Sequence, residues 1–420
     1  MNKLTFQKTI YTLYLICFYI FTYGKFIIIF LTIVNLLLDL SRNKISLTLY
    51  RAYRYTFIIF SIFMLAFFSA VIQGNDILHI VRNNFYTIVF IIVGIQIGYI
   101  YRNNFTILME DTIKIVSFLA LVQIIIYIAS IVNLEFHLFV NDVLSAKLGY
   151  SIAFAGLGEY NSGFGLKMVT NITSLYLFLI PYAFYTNNEK LKKYSSVIIV
   201  AVIISVSLTQ YAILIFYLCI YYVKSITKPY ILFKKIFSLK FIMSLVLIIY
   251  FLFESGLNIV LEEKVYNALN TNTSELTSTT LRIVQSEILF EEFSESFLFG
   301  KGLGYDSVKY HKIRNIINGN NEIKYFNYSM YENQYLDILM KFGLFLSLLI
   351  YLLFFFYPAY RLLSKYLKTN NNVYFSILVG YIGLTIFAGS NGNTFYAYTT
   401  MFIWGLVIYL ISTNKKGGEI

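Results

Sequence analysis

The chain has 420 residues, 58% of them hydrophobic and 13% charged, with a formal net charge of +12. Soluble domains carry about 25% charged residues, so this composition excludes an ordinary soluble protein and predicts a polytopic, all-α membrane bundle. The basic excess does not call for nucleic acid, because cytoplasmic loops of membrane proteins collect Lys and Arg.

A helical span needs roughly 20 apolar residues. About twelve segments qualify: 9–23, 25–40, 53–72, 84–100, 112–132, 169–186, 194–209, 211–223, 241–258, 335–357, 373–389 and 394–412. The pairs 9–40 and 194–223 each read as one long helix or two short ones. The breaks at Tyr23-Gly24-Lys25 and Thr209-Gln210 favour two. Lys3 and Lys8 precede the first apolar run with no small-residue cleavage site after it, the pattern of an anchor rather than a cleaved signal. Cys17 and Cys219 lie inside apolar runs and offer neither a disulfide framework nor a metal spacing.

Placing the amino terminus inside puts Arg51, Arg54, Arg102, Lys190, Lys192, Lys193, Arg361, Lys365 and Lys368 on the cytoplasmic side. The short outer segments keep only Lys25, Arg82, Lys147 and Lys167. Charge bias and an even span count agree, so both termini are expected in the cytoplasm. The whole chain, 1–420, then reads as a single transmembrane domain with two long extracytoplasmic loops, 133–168 and 258–334. Loops beyond about 12–15 residues are usually functional or disordered. These two keep aromatic and apolar residues, so function is expected on the outer face.

The first loop carries Lys147, then Gly156, Gly158, Gly163 and Gly165, then Lys167. The glycines mark a bent backbone, not a helix. One reading is a hairpin tucked into the bundle; the other brings Lys147 or Lys167 to an anionic ligand.

In the large loop, Thr279 or Thr280 is placed to cap a helix beginning at Leu281. Leu281, Val284, Ile288, Phe293 and Phe297 fall at helical spacing, with Glu287, Glu291, Glu292 and Glu295 mostly elsewhere. That is an amphipathic helix for a surface. Arg282 is its only cation, in a first turn whose dipole disfavours positive charge. It calls for a bound anion or a salt bridge to a nearby Glu. The turn Phe299-Gly300-Lys301-Gly302-Leu303-Gly304-Tyr305 follows; alternate glycines let backbone approach a ligand and turn amides toward it. Lys309, Lys312 and Arg314 form a basic run that also suits a solvated face. His79, His137 and His311 have no metal-binding spacing.

Arg282, the Gly300-Lys301-Gly302-Leu303-Gly304 turn, Glu332-Asn333-Gln334-Tyr335-Leu336 and the downstream Gly343 together resemble the bacterial O-antigen ligase and polymerase superfamily. The resemblance is specific over residues 281–343 and loose elsewhere. It implies a GT-C-like membrane glycosyltransferase of the bacterial cytoplasmic membrane, with no cofactor and no metal. Its donor and acceptor would be saccharides on undecaprenyl diphosphate, and a flippase and a chain-length regulator would be its partners. Ligases of the superfamily have His where this chain has Glu332, and many polymerases have Glu-Asn. The resemblance therefore favours joining of lipid-linked repeat units into a capsule, O-antigen or exopolysaccharide.

The chemistry of such a reaction fits these residue types. Departure of a lipid diphosphate builds negative charge, which a guanidinium at Arg282 can hold in bidentate fashion. Lys301, Arg314, Lys147 and Lys167 are further candidate cations. Glu332 can take the proton of the attacking sugar hydroxyl, or stand as a helix-start carboxylate favoured by the dipole. Asn333 would orient Glu332 or a sugar hydroxyl. Asp337 and Lys341, one turn apart, are placed to pair. Tyr305, Tyr310, Tyr325, Phe326, Tyr328, Tyr331 and Tyr335 suit either sugar stacking or interface anchoring. Three alternatives stand beside polymerisation: transfer of a finished glycan, a flippase for the same lipid-linked sugar, and a non-catalytic assembly partner. A transporter would place ionisable groups at mid-membrane; here they sit at span ends and in loops.

Overall fold

The computed structural model describes residues 46–75, 77–80, 86–102, 104–139, 152–156, 166–170, 172–185, 188–205, 207–225, 278–309, 331, 333–390 and 397–413. The expected spans 9–23, 25–40 and 241–258 lie outside these residues, as do Lys147, Arg314 and Glu332.

The framework is helical. Its elements are α1 (Leu47–Ile72), α2 (Tyr86–Ile100), α3 (Phe105–Val132), the short α4 (Leu134–Phe139), α5 (Thr173–Tyr185), α6 (Glu189–Ile203) and α7 (Leu208–Ser225). They continue with α8 (Ser278–Glu295), α9 (Gln334–Tyr351), a π-helical turn (Leu352–Phe356), α10 (Tyr357–Thr369), α11 (Asn372–Ser390) and α12 (Tyr398–Ser412). One element is added to the helical expectation: β1 (Ile152–Gly156) pairs antiparallel with β2 (Leu166–Thr170), with Ala155 opposite Lys167. Gly156 ends β1, and Gly158, Gly163 and Gly165, where a bend is expected, lie outside the described residues.

Among the described residues, four helical stretches are long and apolar enough to cross a membrane: Leu47–Ile72, Phe105–Ser130, Gln334–Thr369 and Asn372–Gly389. Shorter apolar helices lie at Val89–Ile100, Thr173–Tyr185, Thr209–Tyr221 and Thr399–Ser412. Large apolar side chains such as Phe57, Leu65, Phe68, Phe118, Leu348 and Phe356 stand exposed on the outside of the bundle. Water would not tolerate a surface of that extent, and lipid accepts it; this is a membrane protein.

Lipid gives helices no hydrophobic reason to associate, so close packing must come from small residues. The tightest contact is α2 on α12. A methyl group on Gly94 would lie 2.2 Å from the Phe402 carbonyl oxygen, and one on Gly405 would lie 2.1 Å from that of Ile91. Gly380 of α11 likewise lets the Phe178 carbonyl of α5 approach. Around these contacts the core is filled by large rings, including Trp404, Tyr176, Tyr381 and Phe354.

The segment 334–369 is longer than one crossing requires, and it is not one straight rod. Gly343 breaks it with φ 67°, ψ 178°. A stub, 334–342, is thereby set off from the span that follows. The expected span 335–357 runs instead through the π turn to Thr369, because the turn absorbs one extra residue without ending the helix. The Leu353 and Phe354 carbonyls in that turn accept hydrogen bonds from the Tyr55 and Tyr381 hydroxyls.

Two ends of the bundle can be told apart. Thr106 and Glu110, Tyr182, Tyr185 and Asn188, and Asn370 to Val373 line a common cavity at one end. Arg51, Arg54, Arg361 and Ser412 meet at this same end, which also carries the start of α6 with Lys190, Lys192 and Lys193. At the other end α8 and the glycine turn meet α1 and α9.

Candidate functional site

The loop end is built around α8. Its buried stripe, Gln285, Ile288, Leu289, Glu292 and Phe293, advances by three and four residues. Ile288, Leu289 and Phe293 pack with Tyr331 and Met340, and Val284, Leu336 and Leu339 close the edges. The helix begins at Ser278, three residues before the expected Leu281, and ends at Glu295, before the glycine turn that was expected to end it. A second apolar line, Ile283, Phe290 and Phe297, is exposed at spacings of seven. Leu298 and Phe299, just beyond it, are exposed as well.

The glycine turn is a backbone joint. Gly300, Gly302, Gly304 and Gly343 all have positive φ. The Lys301 and Gly302 amides donate to the Met340 and Lys341 carbonyls at 2.7 and 3.0 Å, and the Leu344 amide donates to Phe297 at 2.8 Å. A methyl on Gly300 would lie 2.4 Å from the Gly343 nitrogen, and one on Gly302 would lie 2.5 Å from Ala70 Cα. On the α1 side, Gln73 donates to the Gly300 carbonyl, and Asn75 to those of Lys301 and Leu303. The sequence suggested amides turned toward a ligand. For Lys301 and Gly302 the structure corrects this: both amides are used to fasten the turn into the break of α9.

Side chains close the joint. Tyr331 is fully buried; its hydroxyl donates to Asp306 at 2.9 Å and accepts from the Ser307 amide at 2.7 Å. Burial raises its pKa well above the usual phenol value. It is therefore not available as a stacking platform for a sugar. Tyr335 is also engaged, against Tyr351 and Phe355, with its hydroxyl on the Thr385 carbonyl. Tyr310, Tyr325, Phe326 and Tyr328 lie outside the described residues.

Glu292 was assigned to the polar face, and the structure places it inside, 1% exposed. The signal was present: position 292 is three from Leu289 and four from Ile288, on the buried stripe. Its Oε1 accepts from Ser307 at 2.7 Å and from Tyr305 at 3.3 Å. Its Oε2 has no partner among the described residues. Burial raises its pKa against the opposing pull of those two hydrogen bonds and of Lys301 and Lys309. Burial, then the neighbouring Glu292 carboxylate, pushes the Tyr305 phenol up to about 12.

The candidate cations divide. Lys301 is held by Glu295 at 2.7 Å and lies 5.7 Å from the centre of the Tyr305 ring. Lys309 bridges Glu291 and Glu295 at 2.9 and 3.0 Å. Hydrogen bonds from Lys301 and Lys309 hold Glu295 down at about 2. Lys167 stands in β2, away in sequence from this cluster. Arg282 lies in the first turns of α8, one turn before Gln285 and Ser286.

That turn meets the residues flanking Glu332. The Asn333 amide donates to Gln285 Oε1 and its Nδ2 to Ser286 Oγ, both at 3.3 Å. Asn333 Oδ1 caps α9 by accepting from the Leu336 amide at 3.2 Å. Asn333 thus serves as a helix cap and a tie to α8. The expected pair below it forms: Lys341 and Asp337 approach to 2.7 Å, both buried, with the ammonium 5.6 Å from the centre of the Tyr331 ring. The arrangement suspends the chain on both sides of position 332 beside the first half of α8.

The family model described as O-Antigen ligase matches residues 195–351, which includes α7, α8, the glycine turn and α9. No curated protein and no solved structure matches the chain. The matched range contains the whole of 281–343, on which the resemblance rested. The match over residues 195–351 is consistent with the superfamily of O-antigen polymerases and ligases and with membrane glycan transfer as a general function.

Proposed function

We propose that the protein is a polymerase that joins undecaprenyl-diphosphate-linked oligosaccharide repeat units on the outer face of the bacterial cytoplasmic membrane, without a metal ion. The observation that carries this reading is the tie of Asn333 to Gln285 and Ser286. It brings the backbone flanking Glu332 to α8 one turn from Arg282. The preference for basic residues at the opposite bundle end supports an extracytoplasmic loop end.

In this reading the acceptor hydroxyl attacks the anomeric carbon of the donor. Its proton goes to the Glu332 carboxylate as the new glycosidic bond forms. The bond from the anomeric carbon to the lipid diphosphate breaks, and Arg282 holds the charge that develops on the leaving phosphate. The buried joint of Glu292, Tyr305, Ser307 and Tyr331 keeps the turn in place and touches no reacting atom.

The test is a deletion strain complemented with the wild-type chain, Arg282→Ala or Glu332→Gln. Loss of one transition-state contact costs about 10²–10³ in rate. Both variants should reach the membrane at wild-type levels, fail to make long chains and accumulate single-repeat lipid-linked units. Long polymer from both variants overturns the assignment and selects a non-catalytic partner. Accumulation on the cytoplasmic face selects a flippase. A second reading, transfer of a finished glycan, is favoured by the matched description of O-antigen ligase. Finished lipid-linked polymer in the deletion strain would select it.

A further inference from the structure

The bundle end opposite the candidate site holds a cavity of about 530 Å³ between the start of α1, the start of α10 and the end of α12. Among the described residues, three guanidinium groups line it, those of Arg51, Arg54 and Arg361, and no carboxylate does. Arg51 and Arg54 are spaced to share one face of α1. Among the described residues neither makes an ion pair, and Arg361 only rests 5.8 Å from the centre of the Tyr357 ring. Three other basic residues at this end are already used. Lys192 pairs with Glu189 at 2.5 Å, Lys114 with Asp111 at 3.7 Å, and Lys365 donates to the Leu410 and Thr413 carbonyls.

Three like charges around one cavity repel unless an anion joins them. Guanidinium forks match phosphate oxygens. Beside the arginines the wall holds Ser412 and an apolar part made by Ile58, Ile411 and the rings of Tyr55 and Tyr357. It continues onto the lipid-facing side of α1, where Phe57 is exposed. A soluble anion would use the arginines and leave that wall bare; a lipid uses both. We propose that this cavity binds the phosphate headgroup of an anionic membrane phospholipid, with its acyl chain laid against Ile58 and Ile411.

The test uses the full-length protein in phosphatidylcholine nanodiscs containing a minor share of phosphatidylglycerol. Lipid retained through purification is measured by native mass spectrometry. The wild type should hold phosphatidylglycerol at least about tenfold in excess of its share, since each basic residue near the headgroup favours an anionic lipid. Arg51→Gln, Arg54→Gln and Arg361→Gln combined should abolish the enrichment. Lys190→Gln, Lys192→Gln and Lys193→Gln combined, at the same bundle end, should keep it. If the triple arginine variant fails gel filtration, Arg361→Gln alone carries the comparison. No enrichment in the wild type overturns the proposal, and so does equal loss in both variants. Release of the lipid by millimolar inorganic phosphate also overturns it, in favour of a soluble-anion site.

Discussion

At the residue scale, two carboxylates on α8 respond to pH in opposite directions. Glu292 has its pKa raised above 4.5, so the folded state holds its proton more tightly than the unfolded state does. Its contribution to stability therefore falls as pH rises above 4.5. Glu295 is held down at about 2, so its contribution is present above 4.5 and is lost as pH falls toward 2. Glu295 is exposed, and salt should shrink its part. Amide exchange across residues 300–309 should speed up on both sides of that point, and only the acid branch should weaken in high salt. Glu292→Gln should remove the upper branch and keep the fold. Glu292→Ala should leave the Ser307 and Tyr305 hydroxyls without their acceptor, at about 1–3 kcal/mol. The buried pair of Asp337 and Lys341 was legible from its one-turn spacing. Lys341→Met alone should cost about 3–5 kcal/mol by stranding a buried carboxylate, and Asp337→Leu with Lys341→Met together much less. Thermal unfolding in detergent reads both. Glu292 escaped the sequence because four glutamates in nine positions look like one polar face, although the stripe drawn through Ile288 and Leu289 includes it.

At the element scale, helices were easier to read than joints. Apolar spacing located α8 to within three residues of its start, and the expected split of 194–223 into two helices holds, although the break lies between Ile203 and Leu208 and the expected breakers Thr209 and Gln210 stand in the first turn of α7. The glycine turn was visible as a motif, yet its partner was not. Nothing local says that Gly300 will meet Gly343, because the pairing is decided by backbone contact across more than forty residues. The same is true of Gly302 against Ala70. Gly343→Ala tests the joint. Its φ of 67° disfavours a side chain, and the new methyl would lie 2.4 Å from the Leu298 carbonyl oxygen. Backbone strain alone should cost about 1–3 kcal/mol. Proteolysis of the native protein should then cut near residues 297–305, where the wild type resists. Resistance equal to wild type would mean that α9 bends without needing glycine.

At the scale of the whole molecule, hydropathy found every described span but misjudged lengths. The run 335–357 gave no hint of a π turn, since the Leu-Leu-Phe-Phe-Phe sequence is as apolar as any straight helix; the cause lies in Tyr55 and Tyr381, from other spans. Which helices touch was also unreadable, because lipid-facing and core-facing residues are equally apolar in a membrane. Gly94→Leu should therefore be far more harmful than Phe118→Leu, although both keep an apolar residue. The first forces α2 from α12 at a contact of 2.2 Å; the second alters a ring that is 61% exposed. Folded yield after detergent extraction measures the difference. The joint at Gly300 and Gly343 has a practical corollary for anyone exchanging specificity between relatives. The loop that holds the candidate site is not a cassette: its anchorage is shared among residues 73–75, 297–304 and 340–344. A chimera cut at the loop's own borders would arrive without its fastenings, whereas one that carries all three segments would transplant the site intact.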